Sequence, residues 1–315
     1  MSNKVAFVFP GQGSQSVGML AKLAEFSPVV RATFDEASGV LGYDLWRLCS
    51  EGPIEELNET ERTQPAMLVA GIATWRLWQE RLGVKPAVVT GHSLGEFTAL
   101  VAAGAIDFGH CVELVRFRGR AMQEAVPKGT GAMAALLGLD DAEVEAACAE
   151  AAQGAVVEAV NFNSPGQVVI AGEKAAVLRA IDAAKARGAK RAIELPVSVP
   201  SHSSLMKSAG VRLGERLAST EIRTPIIRYL SAVDATAHSD PDDIRGLLVR
   251  QLSSPVRWTQ TVTALSSGGA AYIVECGPGG VLAGLIKRIE KGRDTKGLSL
   301  DDPETFQAAL AAVAA

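Results

Sequence analysis

The sequence predicts an α/β protein with one large parallel sheet and a small domain inserted into it. Short apolar runs alternate with amphipathic helical stretches along most of the chain, as in sheets whose strands are joined by crossover helices. A serine between two glycines, in residues 91–95, follows one apolar run and directly precedes a helix-forming stretch. Between residues 129 and 196 the order of elements changes to βαββαβ, which marks a second folding unit.

Length and composition favour a soluble globular protein of the cytoplasm. The 315 residues suffice for one large domain with a small insert, and 48% of them are hydrophobic. The net charge of -4 gives no support for nucleic-acid binding. No apolar run approaches the ~18–20 residues that span a bilayer, and the sequence starts without a signal-peptide pattern, so no membrane contact is expected. The cysteines are widely spaced and predict buried free thiols without a metal site: Cys49, Cys111, Cys148 and Cys276.

The first apolar run, residues 5–9, is suited to a buried parallel strand, and Pro10 ends it. The glycines that follow do not have dinucleotide-binding spacing, because Ser16 stands where the third glycine should be. A glycine on each side of Gln12 leaves its backbone N–H accessible to a ligand. A ligand-binding loop and a plain tight turn are both compatible with this stretch.

A long helix is expected over residues 65–82, with Pro65 near its first turn and Gly83 after its end. Its apolar side chains recur at helical spacing, which is typical of a core-facing stripe rather than a ligand site: Met67, Leu68, Ile72, Trp75 and Leu82.

The motif Gly-His-Ser-Leu-Gly at residues 91–95 has the context of a nucleophile elbow. It follows a short strand over residues 87–89 and opens a helix that is expected to end near Gly104. Such a turn exposes the serine hydroxyl above the sheet edge, next to the unpaired N–H groups of a helix start. We therefore predict that Ser93 is a nucleophile, although a glycine-flanked turn without chemistry has the same pattern.

The next helix is expected to start at Asp107 and carries three arginines, Arg116, Arg118 and Arg120. Two of these would ordinarily be solvated and one could point inward. Periodicity alone does not choose among them.

Residues 129–196 are expected to form a ferredoxin-like domain, with the large α/β-hydrolase-like domain made of residues 1–128 and 197–315. The expected elements are strands at 132–137, 155–160, 167–171 and 191–195 with helices at 141–152 and 173–186. The large domain then resumes with a helix to about Leu217, strands at 226–230 and 272–275, and a helix at 281–289. In such a parallel sheet the active site lies at the carboxyl ends of the strands.

A serine hydroxyl needs a base, and His202 is the best candidate among the four histidines. His92 adjoins the serine but should point away from it, His110 lies on a helix, and His238 lies in a polar stretch. A structural loop histidine is the alternative for His202. No acid stands convincingly at a strand end between Ser93 and His202, so a backbone carbonyl could orient the imidazole. That arrangement suits acyl transfer.

The oxyanion of an attacked carbonyl needs two preorganised donors. The N–H of Leu94, directly after the nucleophile, is the first candidate. The second donor in such sites comes from the loop after an early strand, which here is the loop of Gln12.

Six sequence blocks follow one another along the chain: Phe9-Pro10-Gly11-Gln12-Gly13-Ser14-Gln15, Gly91-His92-Ser93-Leu94-Gly95-Glu96, Arg118-Gly119, Asn163-Ser164-Pro165-Gly166-Gln167, Pro200-Ser201-His202 and Glu275-Cys276-Gly277-Pro278-Gly279. Together they resemble the malonyl-CoA:acyl-carrier-protein transacylases of fatty acid synthesis. The resemblance runs from residue 4 to about residue 290, in the order of the family.

The resemblance implies a ping-pong acyltransferase that moves malonyl from CoA to the phosphopantetheine thiol of an acyl carrier protein. Ser93 would carry the acyl group and His202 would be the base, with Gln12 and Leu94 as the oxyanion hole. The main-chain carbonyl of Gln251 would orient His202. Arg118 would bind the malonyl carboxylate, as a guanidinium fork does, and Gln64 would line the pocket. No metal or redox cofactor is implied.

Acyl carrier proteins are acidic, so a basic patch beside the cleft would help them to dock. The candidates are Lys185, Arg187, Lys190, Arg191, Lys287 and Arg288, although a solvated charged face would have the same composition. Two other functions are compatible with the elbow. One is a serine hydrolase, disfavoured by Arg118 and by the lack of a placed acid. The other is a non-catalytic carrier-binding module, disfavoured by the intact Ser93, His202 and Arg118.

Overall fold

A computed structural model describes residues 4–82, 85–197 and 199–314 of the chain. In this part of the chain the strands are β1 (Lys4–Phe9), β2 (Val88–Gly91), β3 (Gly131–Leu137), β4 (Val157–Ser164), β5 (Gln167–Glu173), β6 (Arg191–Glu194), β7 (Arg228–Leu230), β8 (Ala237–His238), β9 (Ala270–Glu275) and β10 (Lys296–Ser299).

The helices of the first half are α1 (Ala21–Phe26), α2 (Pro28–Leu41), α3 (Leu45–Glu51), α4 (Ile54–Leu57), α5 (Thr60–Leu82), α6 (Gly95–Ala102), α7 (Phe108–Glu124) and α8 (Asp141–Ala152). Those of the second half are α9 (Lys174–Ala186), α10 (Lys207–Ala218), α11 (Pro241–Arg250), α12 (Trp258–Ser267), α13 (Val281–Ile289) and α14 (Pro303–Ala314).

The larger sheet has six strands in the order β10-β9-β1-β2-β7-β8, and confirms the predicted α/β class. All of its pairings are parallel except the last, because the two-residue strand β8 turns back antiparallel on β7 at the edge. The expectation that His238 lies in a polar loop is wrong, because it belongs to this edge strand. The carboxyl ends of β1, β2 and β9 lie side by side, where Phe9 is in register with Gly91 and Val8 with Glu275.

Strand β1 is buried on both faces, which explains its continuous apolar sequence. Phe7 and Phe9 belong to the core beneath the long helix α5, while Ala6 and Val8 belong to a second core beneath α12 and α13. The Phe7 ring meets Trp78 edge-on at 5.1 Å between centroids. This packing fixes the strand that leads into the Gln12 loop.

The smaller sheet is antiparallel, with strand order β4-β5-β3-β6, and its elements follow the predicted βαββαβ order. Helices α8 and α9 pack together on one face of it, over a core that includes Leu136 and Ile170. On the other side, β4 adjoins the large domain through a hydrogen bond from the Phe162 N–H to the Val256 carbonyl, 3.0 Å long.

Several expected elements have different bounds. Strand β4 covers Val157–Ser164 rather than residues 155–160. Helix α5 begins at Thr60, before Pro65, so the proline lies inside the helix rather than at its start. The expected Gly83 stop and the side chain of Leu82 lie outside the described residues. Strand β7 begins at Arg228 rather than at residue 226. The Ile226 N–H is hydrogen bonded to the Ala103 carbonyl instead of to a neighbouring strand, and Ile226 is 82% exposed.

Candidate active site

Ser93 occupies a strained turn between β2 and α6, as a nucleophile elbow requires. Its φ of 52° lies in the left-handed region, which is rare for a residue with a side chain. Both flanking glycines are needed for close packing. A Cβ on Gly91 would lie 1.9 Å from the Gly95 carbonyl carbon, and one on Gly95 would lie 1.9 Å from the Phe9 carbonyl oxygen. The elbow is therefore pressed against the end of β1.

His202 reaches Ser93 from the segment that precedes α10. Its Nε2 lies 2.7 Å from Ser93 Oγ, and its Nδ1 lies 2.8 Å from the main-chain carbonyl oxygen of Gln251. Because that carbonyl only accepts, Nδ1 carries the proton and Nε2 is free to accept one from the serine. Burial lowers the pKa of His202 to about 3, helped by the nearby Arg118 cation. The imidazole is therefore neutral near neutral pH.

Arg118 is the inward-facing arginine of α7, with 1% of its surface exposed. Its Nη2 donates to Gln251 Oε1 at 2.8 Å and to Ser93 Oγ at 3.3 Å. Arg116 instead donates to the Leu41 carbonyl, and Arg120 pairs with Glu61, so neither of them contacts Ser93 or His202. Burial lowers the pKa of Arg118 to about 10, which still leaves the guanidinium charged near neutral pH.

The Gln12 loop lies directly beside the elbow. A Cβ on Gly11 would sit 2.5 Å from the His92 carbonyl oxygen, so only glycine allows this approach. Within the described residues, neither the Gln12 N–H nor the Leu94 N–H has an acceptor. Two backbone donors therefore stand free next to the serine. The Gln12 side chain points towards Thr60, with Nε2 3.5 Å from its hydroxyl.

Gln251 connects three members of the site. Besides the carbonyl that faces His202, its side chain accepts from Arg118 and donates from Nε2 to the Ser93 carbonyl at 2.9 Å. Gln64 is less closely connected. It is buried, its Nε2 contacts Met122 Sδ at 3.4 Å, and its Oε1 has no partner in the part of the chain that the structure describes.

One neighbour of the site, Glu96, was not identified from the sequence. Glu96 lies buried under the elbow, hydrogen bonded to Gln251 Nε2 at 2.8 Å and to the Tyr229 hydroxyl. His92 points away from Ser93, as expected, and its Nε2 lies 2.9 Å from Asn163 Oδ1 in the small domain. A signal for Glu96 was available in the sequence, because it is the only charged residue of α6.

A cleft of about 250 Å³ opens beside the Gln12 loop. It lies between the start of α5, the end of α7 and the chain after β6, and its lining includes Gln12, Thr60, Gln123, Lys128 and Val197. Pro127, Lys128 and Pro196, where the chain enters and leaves the small domain, also border it. The cleft therefore lies where the chain passes between the two sheets.

The six predicted basic residues differ in their surroundings. Arg187 pairs with Glu143 and Glu150, each at 2.9 Å, and Lys185 pairs with Asp182. Lys190, Arg191, Lys287 and Arg288 are exposed. Arg288 donates to Gln167 Oε1 at 2.6 Å and so lies at the turn between β4 and β5.

No group of three or more His, Cys, Asp or Glu side chains in the described ranges could hold a metal ion. None of the helices in those ranges is long and apolar enough to cross a membrane. All four cysteines are buried and free.

Comparison with known proteins identifies the chain as an acyl transferase. The family model for the acyl transferase domain matches residues 6–299. Among curated proteins, the malonyl CoA-acyl carrier protein transacylase of Escherichia coli K12 is 56% identical over 306 residues, covering 97% of this chain and 98% of the relative. The chain belongs to the malonyl-CoA:acyl-carrier-protein transacylase family.

More distant relatives and solved structures agree. The Bacillus subtilis protein of the same name is 44% identical over 98% of this chain and 96% of its own. An acyl carrier protein S-malonyltransferase from Vibrio cholerae superposes with a TM-score of 0.93 at 56% identity, covering 97% of this chain and 99% of that one. A malonyl-transacylase in complex with its type II PKS acyl-carrier protein gives a TM-score of 0.96 at 53% identity, covering 98% and 99% of the two chains.

Proposed function

We propose that this protein transfers a malonyl group from CoA, through an ester on Ser93, to the phosphopantetheine thiol of an acyl carrier protein. One observation carries the proposal. The Ser93 hydroxyl is hydrogen bonded to a neutral imidazole and also lies 3.3 Å from a buried guanidinium. The first group activates a nucleophile and the second recognises a carboxylate, and a malonyl thioester presents both a carbonyl and a carboxylate.

In the first half-reaction, His202 Nε2 takes the proton of the Ser93 hydroxyl as Oγ attacks the thioester carbonyl carbon. The negative charge that forms on the carbonyl oxygen is stabilised by the N–H groups of Leu94 and Gln12, which have no other acceptor in the described ranges. The C–S bond then breaks, and the imidazolium returns its proton to the leaving CoA thiolate. The product is a malonyl ester on Ser93.

In the second half-reaction, the carrier thiol gives its proton to His202 and attacks the ester carbonyl. The same two N–H groups hold the oxyanion, and the serine leaves with the proton from His202. The cleft beside Gln12, about 250 Å³ in volume, is the proposed route for the pantetheine arm of either substrate.

Arg118 supplies the preference for a carboxylated acyl group. Only one of its nitrogens, Nη2, makes the hydrogen bonds to Gln251 and Ser93, and Nε has no partner among the described residues. A guanidinium with unused donors in a buried site binds a carboxylate much more strongly than an exposed one does. An acetyl group offers nothing to this cation. Gln64, whose buried Oε1 lacks a partner, is proposed to line the same pocket.

Transfer is favoured over hydrolysis by the group that orients the imidazole. Serine hydrolases with this elbow use an Asp or Glu for that purpose. Here the partner of Nδ1 is the neutral carbonyl of Gln251, and no carboxylate contacts the imidazole in the described part of the chain. Since a neutral carbonyl stabilises an imidazolium less than a carboxylate does, His202 should activate water poorly, which protects the ester until the carrier thiol arrives.

For the carrier protein we propose a docking patch made of Lys190, Arg191, Lys287 and Arg288. All four are exposed, and Arg288 contacts the turn at Gln167 that also adjoins β3. An acidic partner would complement their charge. Arg187 and Lys185 are weaker candidates, because intramolecular carboxylates already neutralise them. Buried free thiols and the role of the family also support a cytoplasmic enzyme of fatty acid synthesis.

The covalent step is tested by incubating the protein with malonyl-CoA and measuring its intact mass. We expect an added malonyl group on the wild-type chain and none on Ser93→Ala, with the circular dichroism spectrum of the variant unchanged. Adding carrier protein should discharge the ester to malonyl-carrier. A chain that never acquires the adduct would be a binding module, and release of free malonate instead of malonyl-carrier would indicate a hydrolase.

A further inference from the structure

The buried carboxyl group of Glu96 has no part in the mechanism above. Only 1% of its surface is exposed, yet it is surrounded by neutral donors rather than by a directly paired cation. Gln251 Nε2 donates to Oε1 at 2.8 Å, and the Tyr229 hydroxyl donates to Oε2. Ser231 and the backbone of Ala232 also lie near enough to lower the pKa of this carboxyl. Burial raises the pKa of this carboxyl, and the hydrogen bonds from Tyr229 and Gln251 oppose that rise by stabilising the ionised form.

Glu96 determines which end of the Gln251 side-chain amide faces Arg118. The two ends of an amide have nearly the same shape but opposite hydrogen-bonding roles. A carboxylate only accepts, so it holds Nε2 towards itself and leaves Oε1 for the guanidinium, 2.8 Å from Nη2. The same Nε2 also donates to the Ser93 carbonyl at 2.9 Å, which ties the amide to the elbow. One side chain thus links Glu96 to the cation.

The negative charge of Glu96 also stabilises Arg118, in addition to the hydrogen bonds through Gln251. Burial lowers the pKa of Arg118, and the negative charge of Glu96 raises it, partly offsetting that loss. The guanidinium also lies over the Phe97 ring, 5.4 Å from its centroid, so the residue next to Glu96 forms one wall of its site. The start of α6 therefore provides both a wall and a counter-charge for Arg118.

We infer that Glu96 is a positioning residue for Arg118, acting through Gln251, and so sets the preference for a carboxylated acyl group. The inference rests on the proposed function, because it needs Arg118 to bind the malonyl carboxylate. Glu96 touches neither the acyl group nor the reacting atoms in this account. Its loss should weaken malonyl recognition while the Ser93–His202 pair continues to transfer an acyl group that lacks a carboxylate.

The test compares malonyl-CoA with acetyl-CoA as acyl donors for Glu96→Gln. The new amide brings N–H donors to the place of an acceptor, so Gln251 can turn and present its own N–H groups to Arg118. We expect kcat/KM for malonyl transfer to fall about tenfold and that for acetyl transfer to change by less than about twofold. Tyr229→Phe, which removes one donor to the carboxylate, should give a smaller loss in the same direction.

The matched control is Thr98→Val on the same helix. Thr98 is buried, its hydroxyl has no partner among the described residues, and valine has nearly the same shape. The control should leave the malonyl-to-acetyl ratio within about twofold of wild type. A melting curve for each variant verifies that it is folded. If Glu96→Gln does not fold, the malonyl-to-acetyl ratio of Tyr229→Phe is measured in its place.

The decisive comparison repeats Glu96→Gln in the Arg118→Ala background. If Glu96 acts through Arg118, the change in the malonyl-to-acetyl ratio disappears there, because the two residues form one unit. An equal loss for both donors, or a ratio that still shifts without Arg118, would overturn the inference. If Arg118→Ala shifts the ratio and Glu96→Gln does not, this inference alone fails. If Arg118→Ala itself leaves the ratio unchanged, the proposed function fails with it.

Discussion

The proposed reactive pair of Ser93 and His202 depends on a histidine whose surroundings oppose its protonation. His202 is buried and has the Arg118 cation nearby, and together these lower its pKa to about 3. The imidazole therefore remains able to accept the Ser93 proton in mildly acid solution, where an ordinary histidine would be protonated. A carboxylate that binds to Arg118 would partly cancel the positive charge and make His202 more basic at the moment of reaction.

This electrostatic coupling predicts a shift in pH dependence. Removal of the cation in Arg118→Ala should raise the pKa of His202, so that acetyl transfer falls at a higher pH on the acid side than it does in wild type. The comparison is the pH profile of kcat/KM for acetyl-CoA in both proteins. Arg120→Ala, which removes an exposed arginine of the same helix, is the control. Coincident acid limbs for wild type and Arg118→Ala would contradict the coupling.

Residue types in the sequence were sufficient to predict Ser93, His202 and the Gln12 loop as candidates, because strand, turn and helix signals fix their place. They were not sufficient to choose among Arg116, Arg118 and Arg120. The choice depends on how α7 packs on α5, which periodicity does not specify. Arg118 was selected only because the resemblance to the family implied it. The Gln251 side chain and Glu96 were missed, because their contacts join residues far apart in the chain.

Helix α13 shows how one element is fixed to another near the site. Its N-cap, Gly280, has no side chain to accept a hydrogen bond, so Glu275 at the end of β9 accepts instead, from the Ala283 N–H at 2.8 Å. Burial raises the pKa of this carboxyl to about 7, and its Oε1 has no partner among the described residues. The N-terminus of α13 therefore stabilises the ionised form of the Glu275 carboxyl, whereas burial favours its protonated form.

We predict that Glu275 makes stability fall as the pH rises. The unfolded carboxyl loses its proton near pH 4.5 and the folded one near pH 7, so the folded state binds more protons between these values. The free energy of unfolding of wild type, relative to Glu275→Gln, should decline over this window by up to about 3 kcal/mol. Urea unfolding at several pH values measures it, with the exposed Glu304→Gln as control. A flat or rising difference would contradict the assignment.

Local sequence signals predict most of the elements, but tertiary contacts shift the starts of α5 and β7 from the predicted residues. Helix α5 extends before Pro65, and its first turn is held against α7, where a Cβ on Gly119 would lie 2.6 Å from the Thr60 carbonyl oxygen. Helices α11 and α14 were not predicted although their starts were readable, since Pro241 and Pro303 occupy first helical positions. Strand β8, with two residues, carries too little pattern to be read.

At the scale of the molecule, the small domain and the elbow are joined by direct contacts. His92, next to Ser93, is hydrogen bonded to Asn163 of β4, and the adjacent Phe162 N–H bonds to the Val256 carbonyl of the large domain. The insert therefore borders the serine site instead of standing apart from it. Its order of elements was predictable, because each strand and helix has its own local signal. Its contact with the elbow was not, because that depends on the packing of the two sheets.

The docking patch gives a prediction at the same scale. Charge reversal in Lys190→Glu and Arg288→Glu should raise KM for an acidic carrier protein about threefold to tenfold each, because rim charges mainly change encounter rates. KM for malonyl-CoA should change much less, and the difference should shrink in high salt. Arg31→Glu, on α2 outside the patch, is the control. Unchanged carrier KM in both variants would place the docking surface elsewhere.

The central claim is that a buried cation beside an activated serine selects a carboxylated acyl group for transfer. It is tested most directly by the rates at which wild type and Arg118→Ala move malonyl and acetyl groups from CoA to a carrier protein. We predict that Arg118→Ala loses about a hundredfold in kcat/KM for malonyl and far less for acetyl, because only malonyl pairs with the guanidinium. Equal losses for the two acyl groups would contradict the account.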